Sequence, residues 1–273
     1  MTADPDPQIP AADTPVAEQQ HEAAPESREP LPQHVIERVV NPSITGLRED
    51  IDGIVRALLL DLAATPPGAV VDLHAAYSRR LPGRVLAELF GVLPQQRETT
   101  VELMDAAANT TASGAEQHTL WEAMYLLVEA KQPSSDELIG RLLVMREWDA
   151  AALPTVQVVA TLIQLVMAGI PTTTALITAA VRDLAADPVR LRRARADDAQ
   201  WAEITQDTLR RHRITHLPGL PPEGAERFGI PLARDTTGAA VRGLFATFDV
   251  EPVTAGSADP VDQELPVRLT YRP

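Results

Sequence analysis

The run that most constrains this chain is Thr155 to about Ala186, TVQVVATLIQLVMAGIPTTTALITAAVRDLAA. Its opening turns are apolar almost all the way round. That predicts a helix buried on every side, not a surface helix with one apolar stripe. The apolar part falls short of the roughly 20 residues that a membrane span needs. Gln157, Thr161 and Gln164 interrupt it further. The expectation is the central helix of a large helical domain, with no membrane.

In the middle of that helix stands Ala168-Gly169-Ile170-Pro171-Thr172-Thr173. Pro171 cannot donate to the carbonyl of Met167, and a proline in a helix interior costs about 3 kcal/mol. Either the resulting kink merely fits the packing, or the freed carbonyl and nearby hydroxyls line a cavity. Ala168, Gly169, Pro171, Thr172 and Thr173 are the cavity-lining candidates.

Residues 1–33 are rich in Pro, Ala and acid and have no aromatic residue. Such a stretch cannot bury enough surface to offset its ordering entropy, so it reads as a disordered tail, with the folded domain at 34–273. Ile44, Leu47, Ile51, Ile54 and Leu58 form one helical stripe. Asn41-Pro42 reads as the break before it, and Thr45 as its N-cap. Thr65-Pro66-Pro67-Gly68 ends that helix, and Leu81-Pro82 opens another that Gly91 stops. Further helices are predicted over 95–111, 119–131, 137–148, 199–211 and 231–248, with a charged one after Asp187-Pro188. Asp249 to Asp262 reads as a linker, and Leu265 to Tyr271 alternates like a short strand. His212 and His216 are four apart, but Pro218 and Gly219 end the helix there and no third ligand is near. No metal site is expected.

The central hexapeptide resembles the A-G-x-[DE]-T-T signature in the long central helix of cytochromes P450. Leu184 to His212 is similar to the P450 stretch leading into the E-x-x-R helix, and Val70 to Val92 resembles the bacterial P450 segment around "VDL…LP…ELLGVP". The order and spacing of the three imply a mainly α, P450-like fold around one long buried central helix. It is truncated relative to that family and keeps little β-structure. The departures bear on function. A P450 binds its haem iron through a cysteine thiolate, and the sequence has no cysteine. The haem-binding loop motif is absent between His216 and Gly229. Pro171 stands where the family has its acid, and Thr172 matches the family threonine. Asp207 and Arg210 stand for the E-x-x-R pair, a structural ion pair at i, i+3. The resemblance therefore implies a protein without haem cofactor.

The formal net charge is −14 and the sequence pI is about 4.8. That argues against nucleic acid and against anionic membrane surfaces. The lack of cysteine fits a reducing compartment, and the cytoplasm is the expected location. Three functions stay open. The resemblance points first to the P450-like auxiliary proteins that activate antibiotic glycosyltransferases, which implies a glycosyltransferase partner and no catalysis. The second is a haem-independent enzyme folding a small hydrophobic ligand in the vacated cavity for a cyclisation, isomerisation or dehydration. Against it, the central helix carries no carboxylate between Pro154 and Arg182. The third is a decayed product, which the intact hydrophobic pattern disfavours.

Overall fold

The computed structural model describes residues 35–109, 112–134, 136–148, 153–211, 230–253 and 264–272. The expected tail at 1–33, the His212/His216 pair and the loop from 217 to 229 lie outside the described residues. Ten α-helices and one three-stranded sheet occur among the described residues.

A π-turn over Ile36–Val40 runs straight into α1 (Asn41–Gly46), which is followed by α2 (Arg48–Ala63). Asn41-Pro42 thus opens a helix instead of breaking one, because a proline in the first turn has no needed N–H to lose. Thr45 lies inside α1 and does not cap α2. The joint is Leu47, whose amide donates to the Ile44 carbonyl. The predicted stripe holds across this joint: Ile44, Leu47, Ile51 and Leu58 are buried, and Ile54 packs against them.

Gly68, at φ 81°, turns the chain into β1 (Val70–Asp72). A second π-turn, His74–Ser78, leads into α3 (Arg80–Leu89), and Gly91 at φ 68° stops it. A Lys131 ammonium donates to the Gly91 carbonyl and pairs with Glu137 at 3.0 Å, tying this turn to the chain beyond α5. Next come α4 (Arg97–Ala107) and α5 (Gly114–Ala130). Helix α5 begins at Gly114, ahead of the predicted Thr119. The cause is a capping box: Ser113 Oγ accepts from the Glu116 amide at 3.3 Å, and Glu116 Oε2 accepts from the Ser113 amide at 2.6 Å.

After α6 (Leu138–Trp148) comes α7 (Thr155–Ala186), which spans 32 residues and runs unbroken through Pro171. Asp187 then caps α8 (Pro188–Ala196), its carboxylate accepting from the Val189 and Arg190 amides at 3.1 and 2.9 Å. Helices α9 (Ala199–Arg211) and α10 (Ile230–Thr247) follow. By length and composition α7 could cross a bilayer, so ruling that out on length was too strict. Its packing gives it another role: α3, α5, α9 and α10 surround it, and Val158, Leu162, Val166, Ile177, Val181 and Leu184 are fully buried. It is the core helix. Helices α10 and α2 meet so closely that a Cβ at Gly243 would lie 2.7 Å from a Val55 methyl.

The sheet adds β2 (Phe248–Pro252) and β3 (Pro266–Tyr271) in the order β1-β3-β2, all antiparallel, with Val70 opposite Arg268 and Asp249 opposite Thr270. The final strand was expected. The start of the supposed linker is instead β2, and Phe248, expected at the end of α10, is its first residue. Phe248 is buried and stacks edge-on to Tyr271 at 5.9 Å between ring centres.

Candidate functional site

Asp72 at the end of β1 does two jobs with one oxygen. Its Oδ1 accepts from the Leu265 amide at 2.8 Å, locking β1 to the lead-in of β3. It also accepts from the His74 amide at 3.0 Å, which starts the π-turn. In that turn the Arg79 amide closes on the His74 carbonyl, five residues back, at 2.9 Å. Single π-turns are rare and recur at functional sites. Tyr77 anchors the same turn from below. Its fully buried hydroxyl donates to the Ala240 carbonyl of α10 at 2.8 Å. Burial pushes that hydroxyl's pKa far above the usual phenol range, so it stays protonated.

The turn holds the His74 ring against α7. His74 Nδ1 lies 3.2 Å from Thr178 Oγ1, and that hydroxyl donates to the Thr174 carbonyl at 2.9 Å. The hydroxyl proton is therefore in use, and Nδ1 must supply the proton between itself and Thr178. A neutral imidazole has only one N–H, so Nε2 is an acceptor. The pKa of His74 lies below its usual value. Burial is the largest cause, with smaller opposing effects from Asp72 and Asp105 and supporting ones from Arg79 and Arg182.

A cavity of about 140 Å³ opens here, lined by His74, Arg79, Asp105, Ile170, Pro171 and Thr174 among others. Arg79 grips Asp105 with both branches of its guanidinium, at 3.0 Å from Nε and 2.7 Å from a terminal nitrogen. Both residues of this fork, with Ile170, also line a second cavity of about 400 Å³. Thr174 is buried and its hydroxyl has no hydrogen-bond partner among the described residues.

Pro171 is the one predicted candidate that lines the smaller cavity. Its side chain is exposed, and helical geometry puts Thr174 on the same side. Ala168, Thr172 and Thr173 are buried, and Gly169 is half-buried with a Leu86 methyl 3.7 Å from where a Cβ would stand. Sequence reasoning missed His74, Arg79, Asp105 and Thr174. The readable signal was Asp72-Leu73-His74, an Asp two residues before a His, which is the spacing of an Asx turn.

The predicted pair of Asp207 and Arg210 exists, but at 3.7 Å it is the longest of three contacts. Arg190 of α8 reaches Asp207 at 2.7 Å and Arg211 at 2.6 Å. Arg211 also pairs with Asp183 of α7 at 3.0 Å. Asp207 thus joins α8 to α9, and Arg211 joins α9 to α7. The Arg190 contact first, and then Arg211, holds the Asp207 carboxyl below the usual carboxylate range.

A scan against protein-family models found no match. The curated 2-hydroxy-5-methyl-1-naphthoate 7-hydroxylase of Streptomyces carzinostaticus is 26% identical over 182 residues, covering 64% of this chain and 44% of that protein. The chain thus spans less than half the length of that relative. Among solved structures, CYP154A1 from Streptomyces coelicolor is 25% identical, with 83% of this chain and 74% of that one aligned at a TM-score of 0.62. Cytochrome P450 MoxA from Nonomuraea recticatena aligns over 93% and 77% of the two chains at 0.69, with 19% identity. The chain has the fold of the cytochrome P450 superfamily. Its residues do not fit that family's haem-thiolate centre. The sequence offers no thiolate, Pro171 cannot act as an acid, and Ala168 and Thr172 are buried.

Proposed function

We propose that this chain is a haem-free auxiliary protein, a P450 fold kept as a scaffold that binds a partner enzyme. The partner we assign is a glycosyltransferase of bacterial natural-product biosynthesis, one that builds polyketide glycosides. The carrying observation is a retained helical core with no cysteine anywhere in its 273 residues. The core helix is buried and the formal net charge is −14, which suits a protein working in the cytoplasm, away from nucleic acid and membranes. In support of the biosynthetic setting, the curated relative is named for hydroxylating a naphthoate.

A scaffold activates a partner by binding its active conformation preferentially. Moving a partner from almost wholly inactive to almost wholly active takes about 5.5 kcal/mol of differential binding. An interface of ordinary size, roughly 1,600 Å², can supply that. The test is co-expression with the glycosyltransferase encoded nearest the gene, size-exclusion of the product, a transferase assay and an absorbance scan. The expected result is a co-eluting complex with raised transferase activity and no Soret band. A monomer that leaves the transferase unchanged sinks the proposal, and a Soret band overturns its haem-free part.

One observation favours a second reading, a haem-independent enzyme for a non-redox cyclisation, isomerisation or dehydration. His74 offers an acceptor nitrogen, with a lowered pKa, at a cavity beside the central helix. Turnover of a candidate polyketide by the purified chain, lost in His74→Gln, would move the assignment to this reading.

A further inference from the structure

A cavity of about 320 Å³ opens where α2, α9 and α10 meet, and it shares no lining residue with the cavity at Pro171. Small-molecule sites span about 300–1,000 Å³, so this one has room for a ligand. The space exists because Ala202, Gly238 and Ala239 carry little bulk there, and Trp201, only 6% exposed, lines it beside them. Three arginines and three aspartates complete the lining, and their charges are matched unevenly. Asp235 takes two arginines, one on each oxygen. Arg48 Nε donates to Oδ2 at 3.4 Å, and Arg234 Nε donates to Oδ1 at 3.2 Å. Arg242 pairs with Asp52 at 3.3 Å. One positive charge is therefore left over around Asp235. The terminal guanidinium nitrogens of Arg48 and Arg234 have no partner among the described residues. Asp235 anchors this cluster, with a side chain 16% exposed. Asp198 is the lining carboxylate without an arginine among the described residues. It directly precedes α9, whose positive dipole end answers its charge.

We propose that this cavity binds a small organic monocarboxylate with an apolar body. The ligand carboxylate accepts from the free terminal N–H groups of Arg48 and Arg234 and joins Asp235 as the second anion of the cluster. Its body lies against Trp201, Ala202 and Ala239. A neutral molecule of the same shape gains nothing from the excess charge. 3-Phenylpropionate is a simple molecule of this class. The assignment is independent of whether the chain engages a transferase.

The experiment uses the full chain, labelled with ¹⁵N, and 3-phenylpropionate as the probe. The sequence has three tryptophans, so comparison with Trp201→Phe assigns the indole N–H signal of Trp201. That signal should shift saturably with the probe while the other two stay in place. Arg48→Gln removes a side chain that is 67% exposed and leaves Asp235 paired with Arg234. It should melt close to the wild type yet weaken the probe about tenfold, the worth of one charge-assisted hydrogen bond. Asp198→Asn removes a like charge from the lining and should tighten the probe about twofold, which a merely structural role would not do. 3-Phenylpropanol has the same body without the charge and should bind about tenfold more weakly to the wild-type chain. A Trp201 signal that does not respond to the probe would overturn the site. So would equal affinity in the wild type and Arg48→Gln, or 3-phenylpropanol binding as tightly as the acid. The alcohol arm needs no variant.

Discussion

Replacing Pro171 with alanine should make the protein more stable. Pro171 lies deep inside α7, with helix on both sides of it. An interior proline costs about 3 kcal/mol relative to alanine, since it removes one backbone bond and crowds the carbonyl four residues back, here that of Met167. Two effects act the other way. Alanine frees the unfolded chain, which offsets about 0.4–1 kcal/mol. It also trims ring carbons from the cavity wall, and because Pro171 is exposed this loses less than the roughly 0.8 kcal/mol of one buried methylene. The net expectation is a gain of about 1.2–2.6 kcal/mol. At roughly 2–4 °C per kcal/mol for a chain of this size, the melting temperature should rise by about 2–10 °C. Circular dichroism melts and urea titrations measure it, with the midpoint moving and the slope unchanged. An unchanged or lower melting temperature would refute the reasoning. It would mean that the Met167 carbonyl already has another donor, or that the proline ring packs where its exposure says it does not.

Tyr77→Phe deletes the donor to Ala240 and should cost about 1–1.5 kcal/mol in urea unfolding, with no change in secondary structure. Asp207→Asn weakens the clamp between α8 and α9 and should cost about 1 kcal/mol, a modest figure because the side chain is 30% exposed. The folded pKa of Asp207 is depressed, so its contribution is present above the unfolded value near 3.8 and is lost as pH falls below that. The wild type and Asp207→Asn should therefore converge in stability in strong acid. His74 follows the same sign at higher pH. Its folded pKa is lowered, so the unfolded chain binds the extra proton, and stability present above pH 6.5 is lost as pH falls below it. Paired urea titrations at pH 8 and pH 5.5 should show a smaller drop for His74→Gln than for the wild type, and an equal drop would contradict the assignment.

The frame was legible because its signals are long. Helix α7 needs 32 residues of pattern, and the stripe from Ile44 to Leu58 repeats over several turns. What misled were short signals that only the neighbours decide. Asn41-Pro42 reads equally as a break or a helix start, and the π-turn running into it settles the matter. Strand β2 offers one buried aromatic followed by an exposed acid, and only its pairing with β3 makes it a strand. The capping box at Ser113 and Glu116 was in plain view, but the apolar pattern alone puts the helix start at 119. The site was half legible. Pro171 stood out because it breaks a helical rule, whereas His74 and Asp105 break none. They are 31 residues apart in sequence, and only the packing of the second π-turn and α4 beside α7 brings them to one cavity.

The two irregular backbones of this fold's centre face each other. A proline interrupts the hydrogen bonding of α7 at Pro171, and a π-turn inserts an extra residue at His74. Both line the same cavity, and the one unpartnered hydroxyl among its lining residues, that of Thr174, sits between them in sequence register with Pro171 and Thr178. A scaffold losing its function by drift would scatter such costs wherever packing tolerates them, because each is a separate loss of stability with no shared cause. Their convergence on one small cavity is what selection for a bound molecule would leave.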